Sequence, residues 1–69
     1  MNSEPLRLDQ FLQIVGIAGT GGQAKIFIQA GDVFVNGEQE IRRRRKLSEG
    51  DVVQFDGVDY PVNSSSADN

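Results

Sequence analysis

The spacing of the apolar residues changes near Gly31, and this change constrains the fold more than any other feature of the sequence. Before it, apolar residues recur every three or four positions, which is the repeat of one helix face. After it, short runs of β-forming residues are separated by Asn36-Gly37 and Asp56-Gly57, dipeptides typical of two-residue hairpin turns. The sequence therefore predicts an α+β fold in which two N-terminal helices pack on a small antiparallel sheet.

Two helices are predicted in the first half of the chain. The apolar face of the first is formed by Leu8, Phe11, Leu12 and Val15. Asp9 is placed to cap its start, and Gly16 is placed to end it in the left-handed conformation. In the second helix, Thr20 and Gln23 have the spacing of a capping box. The buried stripe of this helix is formed by Ala24, Phe27 and Ile28 and ends at Gly31.

Four strands are predicted in the second half. They are residues 33–35, a strand that begins near Glu38 and runs into a stretch of arginines, residues 52–55 and residues 58–62. Residues 48–51 form a turn between the second strand and the third. Residues 1–5 and 63–69 are predicted to be a flexible tail and a disordered tail, which leaves one domain over residues 6–62.

The 69-residue chain contains no cysteine and no histidine. It therefore lacks the residues of a disulfide framework, of a thiolate metal site and of the commonest general base. We predict no catalytic residue, no metal site and no cofactor. No apolar run approaches the roughly 18 residues of a membrane span, and the N-terminus lacks the regions of a signal peptide. A cytoplasmic location without membrane contact is expected.

The net charge of −3 hides an uneven distribution. Residues 49–69 contain five acidic residues and no basic residue, whereas residues 1–48 contain all seven basic residues and five acidic ones. Five of the basic residues are consecutive, at positions 42–46. Because local potential matters more to a polyanion than the net charge does, this distribution favours a nucleic-acid contact.

The basic run is predicted to lie on a strand. Alternation would then place Arg42, Arg44 and Lys46 on one side, about 6.6 Å apart, at a spacing that suits successive backbone phosphates. The other side would carry Ile41, Arg43, Arg45 and Leu47. Charge on an edge strand also deters aggregation, but two or three cations would be enough for that. Few aromatic residues accompany the cations, which favours contact with backbone and shape over stacking on bases.

The segment GTGGQAK at residues 19–25 resembles a nucleotide-binding loop by letter. A helix rather than a strand precedes it, and Gly22 stands where a P-loop requires lysine. Gly21 and Gly22 fall in the first turn of the second helix, where they leave backbone N–H groups uncovered, and Lys25 lies one turn further on. The segment therefore predicts a seat for one phosphate of a larger ligand rather than a nucleotide site.

Three segments resemble the S4 RNA-binding domain, also called the alpha-L motif. They are RLDQFL (7–12), TGGQAKIFIQAGDVFVNGE (20–38) and RRRRKLSEGDVV (42–53). The resemblance covers about residues 6–55 and is greatest to small stand-alone bacterial members. It implies a protein without catalytic activity that binds structured RNA. Ribosomal RNA, transfer RNA and a small RNA all fit, and the ribosome or RNA-modifying factors are further candidate partners.

Transferred position by position, the resemblance implies RNA contacts from the helices and the hairpin that follows them. The residues so assigned are Arg7, Thr20, Gly21, Gly22, Gln23, Lys25, Arg42, Arg43, Arg44, Arg45 and Lys46. Many members have arginine where this chain has Gly21, and the backbone amides and the basic run are expected to compensate. The alternative is a protein-interaction module that docks an acidic partner in ribosome assembly or RNA modification. No small-molecule substrate is predicted.

Overall fold

The structure is a computed structural model that describes residues 6–63, and within this range it contains two helices and six short strands. In chain order they are β1 (Leu6–Arg7), α1 (Leu8–Ile14), α2 (Gly21–Gln29), β2 (Val33–Val35), β3 (Glu38–Gln39), β4 (Lys46–Leu47), β5 (Val52–Phe55) and β6 (Val58–Pro61). The predicted tails lie outside the described residues, apart from Asn63. In the described range, neither helix is long and apolar enough to cross a membrane.

The strands form two antiparallel sheets, which confirms the predicted α+β class. The larger sheet has the order β3-β2-β5-β6, and the smaller one pairs β1 with β4. Asn36 and Gly37 both have positive φ, at 53° and 85°, as do Asp56 and Gly57, at 54° and 77°. Positive φ at both central residues is the geometry of the turn that matches strand twist, so both predicted hairpins are confirmed.

The core lies between the helices and one face of the larger sheet. Its fully buried side chains include Leu8, Leu12, Ile28, Val33, Val35 and Val53. The predicted helix faces are therefore confirmed, with Val15 and Phe27 partly buried against this core. Phe27 of α2 also packs on Phe55 of β5, with ring centroids 5.1 Å apart. These contacts fix the position of α2, and therefore of its N-terminal end, relative to the sheet.

The helix ends follow the predicted signals at three of four places, one of which is Gly31, with a φ of 88° after α2. Gly16 has a φ of 86° after α1, as expected for a left-handed end. Thr20 Oγ1 accepts a hydrogen bond from the Gln23 backbone N–H at 3.0 Å, which confirms Thr20 as the cap of α2. The Gln23 side chain accepts from the Gly19 backbone N–H at 2.7 Å. The reciprocal bond therefore reaches one residue further back than a capping box requires.

Asp9 is not the cap of α1, so this prediction was wrong. The helix begins at Leu8, with Arg7 as its cap residue, and Asp9 is buried in the first turn. The backbone N–H groups of Leu8 and Asp9 donate to the carbonyls of Arg45 and Arg43, at 2.8 and 3.0 Å. Carbonyls from a distant segment thus satisfy two of the first backbone donors of α1, and the Asp9 carboxylate accepts from the next one, the Gln10 N–H, at 2.9 Å.

The prediction that a strand runs into the arginines was also wrong. Strand β3 ends at Gln39, and the chain turns back at residues 42–45, where the Arg45 N–H donates to the Arg42 carbonyl at 3.2 Å. Pairing resumes at Lys46, but with β1 rather than with the larger sheet. The basic segment, defined here as residues 42–46, is therefore mostly a turn packed against the start of α1.

Candidate functional site

Glu40 folds the basic segment on itself. Its side chain is only 6% exposed, and its oxygens accept hydrogen bonds from the Arg42 backbone N–H at 3.0 Å and from Arg42 Nε and Nη2 at 3.0 and 3.2 Å. Arg45 Nη1 donates to the same carboxylate at 3.1 Å. The hydrogen bonds from Arg42 lower the pKa of Glu40 from 4.5 to about 2, although burial opposes them. These bonds close a turn that an extended strand could not make.

Asp9 holds the other side of the segment. The residue is 3% exposed, and its Oδ2 accepts from Arg43 Nε at 3.1 Å while its Oδ1 accepts from Arg7 Nε at 3.3 Å. Oδ1 also accepts from the Gln10 backbone N–H at 2.9 Å. One buried carboxylate thus joins β1, α1 and the basic segment.

The exposed side of the basic segment carries the remaining charge. The side chains of Arg43 and Arg45 are 33% and 27% exposed, whereas Arg42 is 76% exposed. Arg44 and Lys46 are exposed as well, and neither forms an ion pair with a carboxylate of residues 6–63. Exposure therefore alternates over residues 42–46, but the predicted division into two sides fails, because Arg42 and Arg45 bond the same Glu40 carboxylate and Ile41 is 57% exposed. The segment lines an open depression of about 690 Å³.

The start of α2 lies beside this segment. A Cβ atom built on Gly21 would be 3.7 Å from Arg43 Nη2 and 3.5 Å from Gln13 Nε2. The guanidinium group of Arg43 therefore lies next to the backbone of Gly21, where the sequence offers no side chain. The structure thus places the glycine-rich start of α2 and the basic segment side by side.

The other predicted site residues differ in exposure and in whether their side chains already form hydrogen bonds or ion pairs. Thr20 and Gln23 use their side-chain oxygens within the helix start, so their observed role is to shape it. Gly22 is exposed, with only Thr20 Oγ1 as close as 4.0 Å to a Cβ built there. Lys25 is exposed and has no ion pair with any carboxylate in the described range. Arg7 is 39% exposed and bonded to Asp9.

Two residues of the site escaped sequence reasoning, Asp9 and Glu40. Asp9 was interpreted as a cap, and its partner Arg43 is 34 positions away, so no local pattern joins them. Glu40 had a usable signal, since a carboxylate two residues before a run of five cations has partners within reach. Among the described residues, no group of three or more acidic side chains is placed to hold a metal ion.

The fold and the site together define a small α+β domain with a cationic surface fixed by buried carboxylates. The sequence profile of the S4 domain matches residues 1–63, and the chain belongs to the S4 domain family. It is 42% identical over 57 residues to a Bacillus subtilis protein named as a probable ribosome maturation protein, RlbA, covering 83% of this chain and 80% of that one.

A second relative comes from Escherichia coli and has the provisional name RNA-binding protein YbcJ. It is 40% identical over 57 residues, which cover 83% of this chain and 81% of the relative. An uncharacterized Shigella flexneri protein of the same name matches to the same extent.

Proposed function

We propose that this chain is an RNA-binding protein without catalytic activity, which contacts structured RNA through the basic segment and the start of α2. Ribosomal RNA and transfer RNA are the proposed classes of target, in the bacterial cytoplasm. The observation that carries the proposal is the position of Arg43 Nη2, 3.7 Å from where a Gly21 Cβ would lie. This proximity places the cationic basic segment and the backbone N–H groups at the start of α2 in one surface. Membership of the S4 family and the names of the two relatives support it.

The proposed contacts divide by chemistry. Arg44 and Lys46 supply exposed charge, which attracts phosphates regardless of sequence. The backbone N–H groups of Gly21 and Gly22 donate hydrogen bonds to one phosphate at the positive end of α2, and Lys25 extends this seat along the helix. Arginine forks suit the planar geometry of phosphate oxygens. Binding therefore depends on backbone position and RNA shape more than on base sequence.

RNA affinity is expected to fall steeply with salt. If about four phosphates are neutralised, the slope of log K against log salt should be roughly −3 to −4, because each contact releases bound counterions. Fluorescence anisotropy of a labelled RNA hairpin, titrated at several KCl concentrations, measures this slope. A flat response would contradict the proposal.

Gly21→Ala is expected to separate folding from binding. A Cβ there would make ordinary contacts at 3.5 and 3.7 Å, so the fold should accept it and gain up to about 1 kcal/mol of stability from helix propensity. RNA affinity should fall by about threefold to tenfold, because the methyl group would stand between Arg43 and the helix start, at a cost of about 1 kcal/mol.

Gly22→Ala is the companion variant, since it makes the same chemical change one residue along the same helix. Because Gly22 belongs to the proposed phosphate seat, this variant measures the effect of a methyl group there without the contact to Arg43, and its loss of affinity should be smaller. Its Cβ would approach Thr20 Oγ1 at 4.0 Å and lie away from Arg43. Thermal unfolding and anisotropy titrations compare the two. Equal RNA affinity for Gly21→Ala and the unsubstituted protein would remove Gly21 from the proposed surface.

The alternative function, docking of an acidic protein, uses the same depression of about 690 Å³. It predicts that a cellular partner stays bound after nuclease treatment. RNA binding predicts instead that amide shifts in residues 19–25 and 42–46 respond to protein-free RNA. The second outcome supports the proposed function.

A further inference from the structure

Two acidic residues among those described are buried, Asp9 at 3% and Glu40 at 6% exposure. Each accepts hydrogen bonds from two arginines, Asp9 from Arg7 and Arg43 and Glu40 from Arg42 and Arg45. A buried carboxylate is costly unless it is paired, and no buried side-chain nitrogen or oxygen of the described residues lacks a partner. Both buried carboxylates of the described residues, Asp9 and Glu40, therefore hold arginine side chains in place.

The two carboxylates engage their arginines differently. Arg42 bonds Glu40 through both Nε and Nη2, so one of the two guanidinium edges that can bind a phosphate is occupied and only the Nη1/Nη2 edge remains. Arg43 bonds Asp9 through Nε alone, and its Nη2 lies beside Gly21. Asp9 thus fixes the direction of the Arg43 guanidinium and leaves its Nη groups available to a ligand.

We propose that Asp9 is a positioning residue for RNA binding, which acts by holding Arg43 at the start of α2. This inference rests on the proposed function. An arginine that is already ordered loses less side-chain freedom when it binds, and each long side chain ordered on binding weakens affinity measurably. Arg44 and Lys46 have no such support from the described carboxylates and contribute charge without fixed direction.

The direction in which Asp9→Asn changes the RNA affinity distinguishes a positioning role from a purely electrostatic effect. Asp9→Asn removes a negative charge from a surface proposed to bind a polyanion. Electrostatic attraction alone then predicts tighter RNA binding. Positioning predicts weaker binding, because an amide cannot hold the Arg43 guanidinium through an ion pair.

The experiment compares Asp9→Asn with Asp32→Asn, using anisotropy titrations of a labelled RNA hairpin. Asp32 is exposed, and its substitution makes the same change of charge and shape. We expect Asp9→Asn to bind RNA about threefold to tenfold more weakly than Asp32→Asn. Equal or tighter binding by Asp9→Asn would overturn the inference. If the unsubstituted protein itself fails to bind RNA, the proposed function fails and not this inference alone.

A second pair of variants keeps the test decisive if Asp9→Asn does not fold, as judged by its amide spectrum. Arg43→Lys keeps the charge but lacks the Nε–H that bonds Asp9, and we expect the same loss of affinity. Arg44→Lys is the comparison, because it also replaces a phosphate-binding guanidinium but one that no described carboxylate holds, so its loss of affinity should be smaller. Affinity of Arg43→Lys equal to that of Arg44→Lys would overturn the inference.

A double substitution tests whether Asp9 acts through Arg43. In a protein that already carries Arg43→Ala, adding Asp9→Asn should not weaken RNA binding further, since the residue to be positioned is gone. A further loss in the double variant would show that Asp9 acts otherwise than through Arg43, either through Arg7, which it also bonds, or through the fold, and would overturn the inference.

Discussion

Replacing Arg44 and Lys46 together by glutamate is expected to lower the affinity for structured RNA by about 100-fold, since it removes two phosphate contacts and adds two repulsive charges. Both side chains are exposed and have no ion pair with a carboxylate of residues 6–63. The free energy of unfolding should therefore change little, as is usual for exposed charges. Anisotropy titrations and thermal unfolding measure the two effects.

The neutral variant, Arg44→Gln with Lys46→Gln, provides a graded control. It should bind more weakly than the unsubstituted protein and more tightly than the double glutamate variant, and its salt slope should be less steep by about 2. Reversing Arg43 would be less informative, because a glutamate there would face the buried Asp9 carboxylate that Arg43 now bonds at 3.1 Å. Affinity within twofold of normal in the double glutamate variant would place the RNA elsewhere.

Glu40→Gln is expected to lower the free energy of unfolding at neutral pH by about 1 to 3 kcal/mol, because the hydrogen bonds from Arg42 and Arg45 lose their charged acceptor. The pKa of Glu40 is lowered to about 2 in the folded protein, from 4.5. A lowered pKa means that the carboxylate stabilises the fold fully above about pH 5, and that this contribution is lost as the pH falls towards 2. The variant lacks that contribution, so its stability should fall less over this range.

Glu38→Gln is the matched control for this substitution. Glu38 is exposed on β3, two residues before Glu40, and receives the same chemical change. Urea unfolding at several pH values should show a small effect for Glu38→Gln and a large one for Glu40→Gln. Parallel pH dependence in the two variants would contradict the role assigned to Glu40.

Much of the fold could be predicted because its signals are local. Thr20 caps α2 through a bond to a residue three positions away, and Asn36-Gly37 and Asp56-Gly57 turn the chain because these residues tolerate positive φ. The apolar spacing of α1 and α2 placed their faces in the core. The positive charge of the candidate surface could also be predicted, because its five cations are adjacent in the chain.

The arrangement of that surface could not be predicted, because it depends on contacts between distant residues. The sequence around Asp9 predicts a helix cap. In the structure, the carbonyls of Arg43 and Arg45 accept hydrogen bonds from the first N–H groups of α1 instead. The hairpin signal before the arginines predicts a strand that runs into them. The structure has a turn there, because the Glu40 carboxylate bonds both Arg42 and Arg45. A buried carboxylate must find cationic partners wherever the packed chain provides them, and neither the spacing nor the propensity of those partners shows this.

The sequence by itself determined the helices, the two hairpins, the fold class and the concentration of positive charge, because each depends on neighbours within about one helical turn or one β-turn. The tertiary structure alone decided that the basic segment turns back on α1 and that Arg43 lies beside Gly21. The physical reason is that Asp9 and Glu40 are buried by packing, and burial makes their ion pairs obligatory.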